Sequence, residues 1–293
     1  MSKQPTPKTF YSINGNTQKL DGGAMFGNAP KALWQRWVDV DDLNRIDLVC
    51  RAMLVVDGDK TILFETGIGA FFEPKYRDRY GVQESEHILL YSLKEAGFSH
   101  EDIDILVLSH MHFDHAGGLL TQWQEGKESE LLFPNAEFII GKEAWERACN
   151  PHPRDRASFI PGLTDKLEAT GRLHLVDTDS SDLLGPDYHF YVSNGHTPGM
   201  LITTIETAEG PVAFAADLIP GAPWMHLPIT MGYDRYPESL IDEKRVLLES
   251  LKEDNGRVFF THDPEVALGT VAINEKGKFF AGSPLKSVDK LSL

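Results

Sequence analysis

The segment Ser109-His110-Met111-His112-Phe113-Asp114-His115 constrains this chain more than any other. It follows directly on residues 103–108 (IDILVL), a short apolar run that reads as a buried strand. Three imidazoles and a carboxylate crowded into six residues are costly unless something organises them, and a metal cation does so. In a loop leaving a strand, positions 110 and 112 project one way while 114 and 115 reach another. One metal can then take His110 and His112, and a second can take Asp114 and His115. Nitrogen and carboxylate donors without a thiolate suit Zn²⁺, with Mn²⁺, Fe or Co²⁺ as competitors.

Each metal needs further ligands, and three later residues stand in suitable settings. His196 lies in Ser193-Asn194-Gly195-His196-Thr197-Pro198-Gly199, just after an expected strand. Asp217 ends the run 212–216, and His262 follows the strand 258–260. All three sit at the carboxyl ends of strands, where functional loops gather on α/β scaffolds. A carboxylate such as Asp217 can bridge two ions, which a histidine does not normally do.

The scaffold is legible as short strands with interspersed helices, a layered α/β architecture. Residues 48–56 and 61–65 flank the turn signal Asp57-Gly58-Asp59-Lys60 and predict a hairpin. A helix is expected over 84–96, capped by Ser85 and stopped at Gly97. Others are expected near 142–149, 157–170 and 239–252, the last with a capping box of Ser239 and Asp242. Strands are expected at 137–140, 173–176, 189–193, 201–205, 212–215, 258–260 and 271–274. At 293 residues the chain could hold one large domain or two. No linker or low-complexity tract divides it, so residues 46–293 are expected to form a single domain, with 1–45 as an arm packed on it. In that arm Trp34 and Trp37 are either packing anchors or an aromatic wall for a substrate or a dimer contact.

The net charge of −16 argues against a nucleic-acid partner. Cys50 and Cys149 form no CxxC pair, and no run approaches the roughly 18–20 apolar residues of a membrane helix. The polar first sixteen residues hold no secretory signal core. The expectation is a cytoplasmic protein without a membrane partner.

HxHxDH, then GHTPG, a strand-end aspartate and a strand-end histidine resemble, in identity and order, the metallo-β-lactamase superfamily over roughly residues 45–275. The resemblance implies a four-layer αβ/βα sandwich with two divalent transition-metal ions at the edge of its sheets. By carry-over, His110, His112 and His196 bind one ion, Asp114, His115 and His262 the other, and Asp217 bridges. The family's Asp-Thr-Gly turn appears here as Glu65-Thr66-Gly67, placing a longer acid behind the ligands. The implied chemistry is attack of a metal-bridging hydroxide on an ester-type carbonyl, with Asp114 orienting it and relaying a proton.

Met25-Phe26-Gly27, Pro30, Trp34 and Trp37, with the loop 218–236 (LIPGAPWMHLPITMGYDRY), are rich in aromatic and apolar side chains. They suit a small hydrophobic ester or lactone, although the loop can equally well just cover the sheet edge. His226 and Tyr233 are its candidates for touching a substrate oxygen. The arm pattern GGAMFG…P…LW and this loop resemble the branch that holds quorum-quenching N-acyl-homoserine lactonases of the YtnP type and methyl parathion hydrolases. That implies a lactonase, or a promiscuous aryl esterase and phosphotriesterase, often as a homodimer. Several such lactonases carry a catalytic Tyr three residues after the bridging Asp. Pro220 stands there in this chain, and Tyr233 is the candidate replacement. A glyoxalase II-type thioesterase is disfavoured because 283–293 holds only Lys286 and Lys290 as basic groups. A non-enzymatic binding module would need a closed coordination shell.

Overall fold

In the computed structural model, which describes residues 5–293, successive residues of the central strands face two different cores. The chain opens with β1 (Lys8–Ile13), β2 (Thr17–Asp21), β3 (Arg45–Val49), β4 (Ala52–Asp57) and β5 (Lys60–Phe64). Helices α1 (Pro74–Arg79) and α2 (Ile88–Glu95) lead to β6 (Ile105–Leu108) and β7 (Glu137–Gly141). Then come α3 (Lys142–Cys149), α4 (Leu163–Ala169), β8 (Leu173–Val176), β9 (Tyr188–Ser193), β10 (Met200–Ile205) and β11 (Val212–Phe214). The long helix α5 (Pro237–Glu253) precedes β12 (Arg257–Phe259), β13 (Leu268–Ile273), β14 (Phe279–Leu285) and β15 (Leu291–Ser292).

Seven strands form one sheet in the order β15-β1-β4-β5-β6-β7-β8, and six form a second in the order β14-β13-β12-β11-β10-β9. Val55, Phe64, Val107 and Ile139 of the first sheet meet Ile202, Phe214 and Phe259 of the second in a shared inner core. The intervening Leu54, Leu63, Leu106 and Phe138 point the other way, onto Leu89 and Leu93 of α2 and Leu163 and Leu167 of α4. This is the two-residue period of a strand buried on both faces. Each such side chain contributes about 1.5–3 kcal/mol by leaving water. On the second sheet α5 packs against β13 and buries Leu247, Leu248 and Leu251. The αβ/βα sandwich expected from the sequence is the observed fold. Among the described residues no helix is long and apolar enough to cross a membrane.

The predicted hairpin forms, with Asp57 opposite Lys60 and Gly58 at a φ of +62°, as its tight turn requires. The run 48–56 is not one strand, however. It breaks at Cys50-Arg51, so that β3 pairs with β2 in a separate ribbon while β4 joins the large sheet. Arg51 turns its guanidinium onto the Phe260 carbonyl at 2.8 Å, and the Cys50 N–H goes to the Asn16 carbonyl. Ser85 does not cap α2. The helix starts at Ile88, whose N–H is taken by Asn16 Oδ1 at 3.2 Å. The Ser239–Asp242 box is likewise absent, because α5 begins two residues earlier with Pro237 in its first turn. The helix expected over 157–170 is cut by Pro161-Gly162 to Leu163–Ala169, with Gly162 left-handed. Within the arm, whose first four residues lie outside the described residues, β1 is a strand of the large sheet between β4 and β15.

Candidate metal centre

Four loops deliver the seven residues. β6 ends at Leu108, and the chain passes through His110 and His112 into a single helical turn, Phe113–Ala116, which carries Asp114 and His115. His196 follows β9, Asp217 lies in a 3₁₀ turn after β11, and His262 lies just beyond β12. The His196 turn is tied to α5 by Glu243, whose carboxylate accepts from Ser193 Oγ at 2.6 Å and from the N–H groups of Asn194 and Gly195. Gly195 is required there, since a Cβ would collide with Leu240.

The side chains converge in two groups. Ligand atoms of His110, His112 and His196 all lie within 4.8 Å of one another, as do those of Asp114, His115 and His262. Asp217 joins the groups. Its Oδ2 is 3.1 Å from His196 Nε2 and 3.4 Å from His115 Nε2, and its Oδ1 is 3.2 Å from His262 Nε2. Asp114 Oδ2 stands 3.7 Å from both His115 and His262. All are buried except Asp114, which is partly exposed.

Outward partners set the tautomers. Nδ1 of His262 donates to the Val49 carbonyl at 2.8 Å, which can only accept. Nδ1 of His196 faces Asp234 Oδ1 at 2.9 Å, and Nδ1 of His115 faces Glu65 Oε2 at 2.8 Å. Ser109 donates to Glu65 Oε1, so its oxygen accepts from His110 Nδ1 at 2.9 Å. With Nδ1 as the donor, each of these rings, when neutral, turns an Nε2 lone pair inward. The inner nitrogens crowd together, with His112 presenting Nδ1 instead: His110 Nε2 and His112 Nδ1 are 3.0 Å apart, and His262 Nε2 and His115 Nε2 are 3.3 Å apart. Buried acceptors facing one another with too few protons to share fit a bound cation. Histidines oriented from behind by carboxylates and carbonyls are the usual support of a metal ligand.

The electrostatics agree. Burial and the neighbouring imidazoles hold His110 and His112 well below the ordinary histidine range, so both are neutral donors at pH 7. Burial also opposes a charge on His115, yet Glu65, Asp217 and Asp114 together raise its pKa well above that range. Asp217 does the same for His262 against its burial. Carboxylates that favour a proton on these rings favour a cation between them. Burial disfavours the Asp217 carboxylate, but His115, His196 and His262 hold its pKa well below the ordinary value.

Glu65 stands behind the cluster as expected, at a left-handed φ of +64°. Nothing in the local spacing of Asp234 and Glu243 marks them as partners of the His196 turn. Asp263 is a loop brace: its carboxylate accepts from Ala222, Glu265 and Val266 N–H groups.

The two loop candidates part company. Tyr233 is 43% exposed, and burial of its phenol, with the charges of Asp114 and Asp21, raises its pKa. His226 instead faces Lys278, with Nε2 3.4 Å from Nζ, and the edge of Trp37. It lines a cavity of about 690 Å³ with Trp37, Trp224, Lys278 and Phe280, and of the seven residues only His262 reaches that cavity. The tryptophans divide too. Trp34 is a buried anchor stacked on Phe26, whereas Trp37 is an exposed wall of the cavity.

Among curated proteins, the N-acyl homoserine lactonase AiiA of Bacillus thuringiensis subsp. kurstaki is 26% identical over 184 residues, 59% of this chain and 61% of that protein. The match thus spans less than two thirds of the lactonase. A probable metal-dependent hydrolase from Staphylococcus aureus superposes with a TM-score of 0.83 at 26% identity, over 97% of this chain and all of the other. AidC, a dizinc quorum-quenching lactonase in complex with the product N-hexnoyl-L-homoserine, gives a TM-score of 0.75 at 25% identity over 97% of each chain. Residues 45–262 match the sequence profile of the metallo-beta-lactamase superfamily, and with this fold and this clustered histidine–carboxylate set the chain belongs to that superfamily.

Proposed function

We propose that this protein is a binuclear metal-dependent hydrolase of ester-type bonds whose substrate is a lactone of the N-acyl-homoserine type. The observation that carries the reading is Asp217, whose two oxygens face His196 and His115 on one side and His262 on the other. In this assignment His110, His112 and His196 hold one divalent ion, Asp114, His115 and His262 hold the second, and Asp217 is shared. Zinc fits the donor set best, and a dizinc lactonase of the same fold supports it. When bound, such a pair lowers the pKa of water toward neutrality and polarises the carbonyl under attack.

The chain's own groups do the rest. Asp114 is the most exposed of the seven and in this reading orients the attacking water and accepts its proton. Tyr233 keeps its phenolic proton at neutral pH and offers it as a hydrogen bond to the carbonyl or leaving oxygen. Phe159 lies on the His112 ring at 5.0 Å and keeps water from its outer edge. The aromatic cavity beside His262 favours a second activity on aryl esters or phosphotriesters. A role in quenching quorum signals, inside the cytoplasm, belongs to the same proposal.

The test is a hydrolysis panel with zinc-reconstituted protein, spanning acyl-homoserine lactones, simple lactones, aryl esters, phosphotriesters and lactoylglutathione, beside elemental analysis. Close to two metals per chain with lactones turned over fastest is the expected result. A folded protein that binds no metal, or hydrolyses none of the panel, overturns the reading.

A further inference from the structure

We propose that an anion subsite flanks the His112–His196 side of the cluster, built by Arg235 with Arg147 and Arg154, and that it takes a carboxylate carried by the substrate. The inference rests on the hydrolase reading and adds to the neutral acyl-homoserine lactones a class of esters or lactones that bear a negative charge.

In a chain of net charge −16, the guanidinium groups of Arg147 and Arg235 flank the Asp155 carboxylate, and Arg154 stands near enough to Arg235 to act on its charge. Asp155 is buried, and its Oδ2 accepts from Nε and Nη2 of Arg147 at 3.0 and 2.7 Å. Arg235 comes only to 4.0 Å of that oxygen, and among the described residues its guanidinium makes no hydrogen bond, although its side chain is 12% exposed. Arg154 uses one nitrogen on the Gly232 carbonyl at 3.2 Å and is otherwise open to solvent. A guanidinium carries five donors in a rigid fork that matches a carboxylate. Among the described residues the Arg235 fork has no hydrogen-bond partner, and its nitrogens still reach solvent, so it is open to an incoming carboxylate. Burial, Arg154 and Arg147 all press against the Arg235 charge, and Asp155 and Tyr236 relieve it only in part. An incoming carboxylate would pair with it and remove that conflict.

The position is functional. The backbone N–H of Arg235 donates to the His196 carbonyl at 3.2 Å, so the fork leaves the chain beside a candidate ligand. The segment holding Arg154 and Asp155 continues to Phe159, whose ring packs edge-on against His112 at 5.0 Å. A carboxylate carried by the substrate would meet this fork on the His196 side of the cluster.

The experiment uses zinc-loaded full-length protein and two matched aryl esters, 4-nitrophenyl hemiglutarate and its neutral methyl ester. The wild type is expected to favour the anionic ester in kcat/KM by about tenfold or more, a preference that falls in high salt. Arg235→Met should bring the ratio toward one, and Arg235→Lys should restore part of it. A wild-type ratio at or below one, or an unchanged ratio in Arg235→Met, overturns the proposal. Calorimetric titration with glutarate reads the subsite without turnover: binding about tenfold weaker in Arg235→Met supports it, and equal binding sinks it. Should neither ester react, the hydrolase reading fails while the glutarate titration still decides the subsite. If Arg235→Met does not fold, Arg154→Met, altered at an exposed side chain, carries the same comparisons.

Discussion

Asp234 Oδ1 stands 2.9 Å from Nδ1 of His196 while its Oδ2 accepts the Met231 N–H at 2.6 Å. One carboxylate therefore both aims a candidate ligand and closes the turn of the loop beside it. Asp234→Asn keeps the shape and an acceptor but removes the charge behind the imidazole. Metal affinity is expected to fall about 10–100-fold, read by competition with a chromogenic chelator. Affinity equal to wild type would mean that Asp234 only shapes the loop.

Glu65 does comparable work for the other group, accepting from both Ser109 and His115. In Glu65→Gln one oxygen becomes an NH₂, so either Ser109 or His115 meets a donor in place of an acceptor. Both lie in a fully buried setting, and the mismatch is expected to cost about 1–3 kcal/mol of stability. Metal retention on dialysis should drop with it. Thermal melts and elemental analysis of the variant check the two effects separately, and a variant that melts and retains metal like wild type would refute the role.

His226 and Trp37 meet in the cavity away from six of the seven candidate ligands. His226→Ala is expected to keep the full metal content. Trp37→Ala should lower kcat/KM for bulky aryl esters by roughly tenfold, the order lost when an apolar contact in a pocket is removed, and spare small lactones. Loss of metal in His226→Ala would show that the cavity supports the cluster after all.

The chemistry was more legible than its supports. His110, His112, Asp114 and His115 lie in one hexapeptide, and the other three each end a strand, so a linear reading reaches them. Asp234 lies 38 residues from His196 and meets it only because the loop folds back. The break at Cys50-Arg51 has no glycine or proline to announce it. Its cause is tertiary, an Arg51 guanidinium drawn to Phe260 and an Asn16 carbonyl that takes the Cys50 N–H. β1 was invisible for the same reason: its partners are β4 and, through Phe10 opposite Leu291, the far end of the chain. The alternation of Leu54, Leu63 and Leu106 against Val55, Phe64 and Val107 could be expected from the sequence, but not which helix would cover each face.

Lys244 of α5 is fully buried and donates from Nζ to the carbonyls of Trp224 at 2.9 Å and Ile229 at 2.7 Å, bracing the loop that bears His226. Burial lowers its pKa from 10.5 to about 7, against the charge of Asp234. Below about pH 7 the folded and unfolded chains both hold the proton, and the burial penalty is felt in full. Between there and the unfolded value the folded state releases the proton while the unfolded state keeps it. Stability therefore rises with pH across that window, by on the order of a few kcal/mol. A neutral amine still has two hydrogens for the two carbonyls, so the brace survives deprotonation. Lys244→Met removes the titration and leaves both carbonyls unpaired, so it should be less stable throughout and lack this rise. Urea unfolding of both proteins near pH 6.5 and near pH 9 measures the difference. Parallel changes in the two would show that Lys244 keeps its proton in the folded chain.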